Sequence, residues 1–156
     1  MDVTPIRILI AEPVPLIGEL LADRLTAEGF EIVAVAPDGS SAHDLVLQHQ
    51  PDLVILDIPL LTENPREGLQ GRIVVDVPVE TQVRRLVEFR GFDEADARAR
   101  IGRQAKREAR LAGADFVIDN SGSPEHLGPQ IDELWRWLSS LPQLPADYEP
   151  TTPKPK

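Results

Sequence analysis

Apolar positions along this chain come first in short unbroken runs and then at helical spacing, and the alternation repeats. Ile6 to Ala11, IRILIA, is continuous and rich in β-branched residues, as a strand buried on both faces requires. Between Pro15 and Glu28 the apolar positions Leu16, Ile17, Leu20, Leu21 and Leu25 recur at helical spacing, and Gly29 stands where a left-handed cap belongs. EIVAVA, Glu31 to Ala36, predicts a second strand. The turn PDGS follows, and Ser40 or Ser41 is the expected cap of a short helix that Pro51 stops. Leu53 to Leu56 predicts a third strand, so the first sixty residues read βαβαβ with short connections, the pattern of a parallel sheet with right-handed crossovers.

The pattern loosens after Pro59 into LLTENPREGLQG, which Pro65, Gly68 and Gly71 limit to a helical turn or two. RIVVDV, Arg72 to Val77, predicts a fourth strand. A helix over 80–90 turns Val83, Leu86 and Val87 inward, and Asp93 caps a second, strongly charged helix reaching Gln104. This pair forms a lid-like insertion. KREARLAGA leads to a fifth strand, Phe116 to Asp119, after which Ser123 is the expected cap and Pro124 the first position of a last helix. That helix buries Ile131, Leu134, Trp135 and Leu138. From Pro142 onward five prolines and no periodicity predict a disordered tail over 142–156.

A chain of 156 residues with this tail suits one domain, residues 1–141, built as a three-layer α/β/α sandwich around a doubly wound, five-stranded parallel sheet. Its 42% hydrophobic and 27% charged residues are those of a globular protein, and no apolar run approaches the ~20 residues that span a bilayer. The start, MDVTPIRILIAE, lacks the features of a secretory signal, and the absence of cysteine excludes disulfides and thiolate sites. A cytoplasmic protein without a membrane partner is expected. The net charge of −10 argues against nucleic acid as a partner, since duplex affinity comes mainly from basic groups. Charge is unevenly spread: residues 1–71 hold three basic and twelve acidic groups, residues 84–110 nine basic and five acidic.

Two resemblances meet at PDLVILDIPLL. Residues 5–57, from IRILIAE through AEGFE and the PDG turn to PDLVILD, resemble a response-regulator receiver domain. That resemblance implies Asp57 as phosphoacceptor and an acidic pair holding magnesium after the first strand, of which only Glu12 is present because Pro13 takes the second place. Residues 59–138 resemble the C-terminal half of dephospho-coenzyme A kinase through DIPLLTEN, IVVDVPVETQVRRLV, DARARIGRQAKREARL, ADFVIDNSGS and IDELWRWL. This second resemblance implies a lid over nucleotide phosphates carried by Arg100, Gln104, Arg107 and Arg110, and a turn near adenine at Asn120 and Gly122.

Each resemblance lacks part of its chemistry. A P-loop kinase needs a Gly-rich loop whose amides cradle phosphate, with a lysine and a hydroxyl. Here the segment after the first strand is AEPVPLIG. Its prolines lack amide donors and Glu12 is negative. The kinase's acidic base after the second strand has no matching motif, although Asp38 falls nearby. For the receiver, Asp76 and Asp119 stand at the ends of strands four and five where a hydroxyl and a lysine belong, and carboxylates repel a phosphoaspartate.

The expectation is therefore a chimera: a receiver half spliced to a kinase half at an apolar strand ending in aspartate, by laboratory recombination or by natural fusion. The strand order expected is 2-1-3-4-5, with 2-3-1-4-5 as the alternative. Such a hybrid is expected to be a scaffold and not an enzyme. A degenerate receiver or interaction module using a vestigial Asp57, and a weak adenine-nucleotide or coenzyme A binder using the lid arginines and Asn120, are the other two readings. Solvated helix faces with pairs such as Asp96 to Arg100 are the plain account of the arginines. No cofactor is expected beyond a magnesium ion at Glu12 and Asp57. Apolar surface near strands three and four suggests a homodimer, against which a monomer mass by light scattering would count.

Overall fold

The computed structural model describes residues 4–58 and 60–142. In chain order the elements are β1 (Arg7–Ala11), α1 (Pro15–Ala27), β2 (Glu31–Ala36), α2 (Gly39–His49), β3 (Leu53–Leu56), β4 (Ile73–Asp76), α3 (Val79–Arg90), α4 (Glu94–Gly102), α5 (Arg107–Ala112), β5 (Phe116–Asp119) and α6 (Leu127–Ser140). The protein is α/β with parallel ladders, and the described residues divide at 59–60 into two compact units.

In the first unit β1 lies between β2 and β3. Ile8, Leu9 and Ile10 are fully buried, because both edges of β1 are paired and helices cover its faces. Leu9, Ala11, Ala36 and Ala42 form the buried cluster, with Leu45 and Val46 of α2 packed against it. Helix α1 turns Gly18, not a leucine, onto the sheet: a side chain there would meet Val35 Cγ1 at 2.8 Å. The face that follows Gly18 inward is Leu21, Ala22 and Leu25, so Leu16 and Leu20, two of the apolar positions that recur at helical spacing, are 65% and 55% exposed. Gly29 has φ +93°, the left-handed cap its position predicts.

Two helix starts differ from expectation. Asp38, not Ser40 or Ser41, caps α2, its carboxylate accepting from the Ser41 amide at 2.8 Å and from the Ser41 hydroxyl at 3.1 Å. A carboxylate upstream of both serines reaches the free amides first. After β5, Pro124–His126 form a single 3₁₀ turn before α6 begins, and the Ser123 hydroxyl meets His126 Nδ1 at 3.2 Å rather than capping the helix.

The second unit holds a two-stranded parallel ladder, β4 with β5, in the register Ile73 to Phe116 through Asp76 to Asp119. The five-stranded sheet expected from the sequence is thus described as three strands, β2-β1-β3, and two strands, β4-β5. The physical reason lies between β3 and β4, where a parallel crossover normally carries a helix. That stretch is instead a series of turns, with positive φ at Leu60 and Gly68. Trp137 of α6 meets the Phe116 ring at a centroid distance of 5.5 Å, and Gly71 leaves room for the indole. The expected tail lies outside the described residues except for Pro142, whose carbonyl accepts from the Gln70 side chain at 2.6 Å.

Candidate functional site

The C-terminal ends of β4 and β5 bring two carboxylates side by side, since Asp76 and Asp119 are register partners. Strand ends of a parallel sheet are where polar groups and ligands collect in such folds. Asp76 is 5% exposed, and an interior carboxylate needs a partner. Arg107, from the first turn of α5, supplies it: Nη2 lies 2.6 Å from Oδ2, and Nε lies 3.0 Å from each carboxylate oxygen. The contact raises the Arg107 pKa above its usual value, first through the hydrogen bonds and then through charge. The backbone carbonyl of Asp76 also accepts from the Asn120 amide at 2.8 Å. Two residues singled out in the sequence, Arg107 and Asn120, therefore converge on a third that the sequence marked only as an obstacle.

The turn after β5 is ordered by its own side chains. Asp119 Oδ1 accepts from the Ser121 amide at 2.8 Å, and Ser121 holds the Asp119 carboxyl below the usual carboxylate range, with Arg107 and His126 adding to the effect. Gln130 of α6 clasps the strand end, its amide oxygen taking the Asp119 N–H at 2.8 Å and its nitrogen giving to the Asp119 carbonyl at 3.0 Å. Gly122 lies close to the exposed His126 imidazole, and a Cβ there would stand 2.9 Å from its Nδ1.

The remaining lid residues sit on α4 (Arg100), on the segment joining α4 to α5 (Gln104) and on α5 (Arg110), with α3 packed beside them. Arg98 grips Glu80 of α3 through both carboxylate oxygens, at 2.9 and 2.8 Å, and Glu94 one turn earlier at 3.0 Å from Nε. These bonds fasten α4 to α3 and hold the Glu80 carboxyl below its usual range. The i,i+4 pair described on α4 is Glu94 with Arg98, whereas Arg100 lies over the Phe92 ring at 5.8 Å. An open recess of about 540 Å³ between the two helices is lined by Arg85, Arg90, Arg100 and Gln104, with Leu86 and Phe89 on its apolar side. Among the described residues no carboxylate lines it. Arg110 donates to Gln104 Oε1 at 2.9 Å. The structure thus gathers Arg100 and Gln104 at the recess, links Arg110 to them, and sets Arg107 on Asp76. Arg85 and Arg90 were missed as site residues; the available signal was their place on α3 beside Leu86 and Phe89, inside the stretch where basic groups outnumber acidic ones.

In the first unit Glu12 is 4% exposed and one of its oxygens takes the Val14 amide at 2.7 Å, which fixes the chain entering α1. Asp57 follows β3, its amide bonded to the Ala11 carbonyl at 3.1 Å. Burial first, and then the adjacent Glu12, push its carboxyl above the usual value. Among the described residues no group of three or more histidine, cysteine, aspartate or glutamate side chains is poised to hold a metal ion. Asp38 is occupied at the α2 cap and offers no free base.

Parallel strands whose ends gather charged groups beside an arginine-bearing helical excursion define an α/β protein with a polar site at its strand ends. The family model of dephospho-CoA kinase matches residues 38–126. This chain belongs to the dephospho-CoA kinase family. It is 40% identical over 125 residues to dephospho-CoA kinase of Thermobifida fusca, covering 78% of this chain and 62% of that one. With the enzyme of Corynebacterium diphtheriae it shares 51% identity over 85 residues, 54% of this chain and 42% of the other. The chain thus spans less than two thirds of the length of these relatives. The solved structure of TT1252 from Thermus thermophilus has the same fold, with a TM-score of 0.55 at 22% identity, covering 86% of this chain and 98% of that one.

These findings overturn the chimera. The family match begins at Asp38 and runs through residues 57–59, where the splice was expected, and a match over 78% of the chain must cross the same point. The receiver likeness of residues 5–57 arises from what any parallel βαβαβ unit demands: apolar strands, short turns and a polar residue at each strand tip. An engineered origin, an inert scaffold, a vestigial receiver and the assignment as no enzyme fall with it, because the relatives that define the family are kinases.

Proposed function

We propose that this chain serves the phosphorylation of dephospho-coenzyme A, with a nucleoside triphosphate as donor, and that its own residues supply the charge-neutralising side of the site. In that reaction class the acceptor hydroxyl attacks the terminal phosphorus, the bond to the bridging oxygen breaks, a nucleoside diphosphate leaves, and the hydroxyl proton is lost to solvent or a base. Arg100, Gln104, Arg107 and Arg110 are assigned to the donor's phosphates, where guanidinium forks match phosphate oxygens. Asn120 and Gly122 are assigned to the purine end. The observation that carries the reading is the continuous family match over residues 38–126, which includes every one of these positions.

The segment after β1 takes no phosphate-cradling role in this reading. Pro13 and Pro15 offer no amide donor, and Glu12 is negative and bound to the Val14 amide. A cytoplasmic location belongs to the same proposal; among the described residues no helix is long and apolar enough to cross a membrane. The test is a melting series with ATP, dephospho-coenzyme A and both, run beside chromatographic detection of coenzyme A. ATP is expected to raise Tm, since a ligand that binds only the folded state stabilises it, and Arg100→Ala is expected to weaken ATP about tenfold. The proposal is overturned if millimolar ATP leaves Tm unchanged and no coenzyme A is formed.

A further inference from the structure

We propose that Asp76 is a positioning residue, whose buried carboxylate holds one edge of the Arg107 guanidinium so that its opposite edge is presented to a phosphate. The inference rests on the nucleotide reading above and adds a residue to which that reading gives no role. Its basis is the division of the guanidinium's donors. Nε and Nη2 are both spent on Asp76, at 3.0 and 2.6 Å, while Nη1 has no hydrogen-bond partner among the described residues. The side chains differ in the same sense: that of Asp76 is 6% exposed and that of Arg107 is 40% exposed. A cation anchored on its inner edge and open on its outer edge is arranged as groups behind metal ligands and catalytic side chains are, fixed by a partner that itself touches no ligand.

A second observation places this edge beside the rest of the candidate site. The Asp76 carbonyl takes the Asn120 amide, so the residue that orients Arg107 also ties down the turn bearing Asn120 and Gly122. Ser121 and Gln130 hold Asp119, the register partner, to its own backbone turn and strand end, which leaves Asp76 as the carboxylate that meets Arg107 by hydrogen bonds. A free, flexible arginine would lose side-chain freedom on meeting phosphate; one already clamped loses less.

The test is a double-mutant cycle in the full chain, Asp76→Asn, Arg107→Gln and both, with ATP affinity read by calorimetry and the Arg107 Nε–H resonance read by NMR. Both single variants are expected to weaken ATP about tenfold, and the double variant to be no weaker than Arg107→Gln alone. Asp76→Asn is also expected to release the restricted Nε–H signal. Losses that multiply in the double variant, or an Asp76→Asn chain that melts lower yet binds ATP with unchanged affinity, would make Asp76 structural only and overturn the inference. Tighter ATP binding by Asp76→Asn would overturn it in another way, making the carboxylate a competitor of the phosphate. If Asp76→Asn does not fold, Arg107→Lys keeps the charge and removes the fork; affinity equal to the parent then sinks the inference. If the parent chain binds no ATP but its Nε–H signal is restricted and Asp76-dependent, the nucleotide reading fails and the clamp alone stands.

Discussion

Asp57 and Asp76 are two aspartates at the ends of parallel strands, and their surroundings give them different work. Asp76 has a guanidinium; Asp57 has Glu12 beside it and a carboxyl raised by burial and by that neighbour. A carboxyl raised in the folded state binds more protons there than in the unfolded chain, so Asp57 adds stability below the unfolded value, about pH 4, and that contribution is lost as pH rises through the folded value. Asp57→Asn is therefore expected to raise the urea midpoint at pH 7 and to leave it near that of the parent at pH 3.5, with a flatter pH dependence between. An Asp57→Asn chain as labile at pH 7 as the parent would show that the carboxylate pair costs the fold nothing. The sequence made Asp57 conspicuous because it ends an apolar strand. It could not tell that Asp76, in a similar local setting, is the one with a cation, since Arg107 is 31 residues further on.

At the scale of elements the helices were legible and their faces only partly so. The period of α1 predicts its existence, but Leu16, Ile17 and Leu20 lie on one side of it and Gly18, Leu21 and Leu25 on the other, and hydrophobicity alone favours the wrong side. Close approach decided it, because Gly18 lets the helix backbone come up against Val35. Gly18→Ala gains about 1 kcal/mol of helix propensity, yet its methyl would stand 2.8 Å from Val35 Cγ1, and overpacking of that kind costs about 1–3 kcal/mol. We expect Gly18→Ala to lower the midpoint of denaturant unfolding, and Gly18→Ala with Val35→Ala to be more stable than the two single changes added together. Simple additivity would mean that α1 and β2 do not meet at this contact. Helix α5 was not legible in the sequence for a related reason: six residues carry little periodicity, none of them is buried, and its Arg107 is paired with Asp76 from a distant strand.

For the whole molecule the electrostatic question is how a chain of net charge −10 would hold a polyanion. Residues 84–110 carry nine basic against five acidic groups, so the field close to the lid differs in sign from the field far away. At 0.15 M salt the screening length is about 8 Å, which removes the distant repulsion and spares contacts at hydrogen-bond distance. If phosphates meet the lid arginines, ATP affinity should fall modestly as sodium chloride is raised from low to physiological concentration and beyond; affinity that climbs with salt would mean that net charge dominates and that the phosphates lie elsewhere. Length and composition, the βαβαβ rhythm, the arginine-rich excursion before β5 and the motifs of the kinase family were set by sequence alone, because local propensity and periodicity are properties of neighbours along the chain. Tertiary structure decided which strands share a ladder, which face of α1 is buried, and that Arg107 and Asn120 meet at Asp76. Those outcomes depend on backbone approach and on charges brought together from distant positions, and no local pattern encodes either.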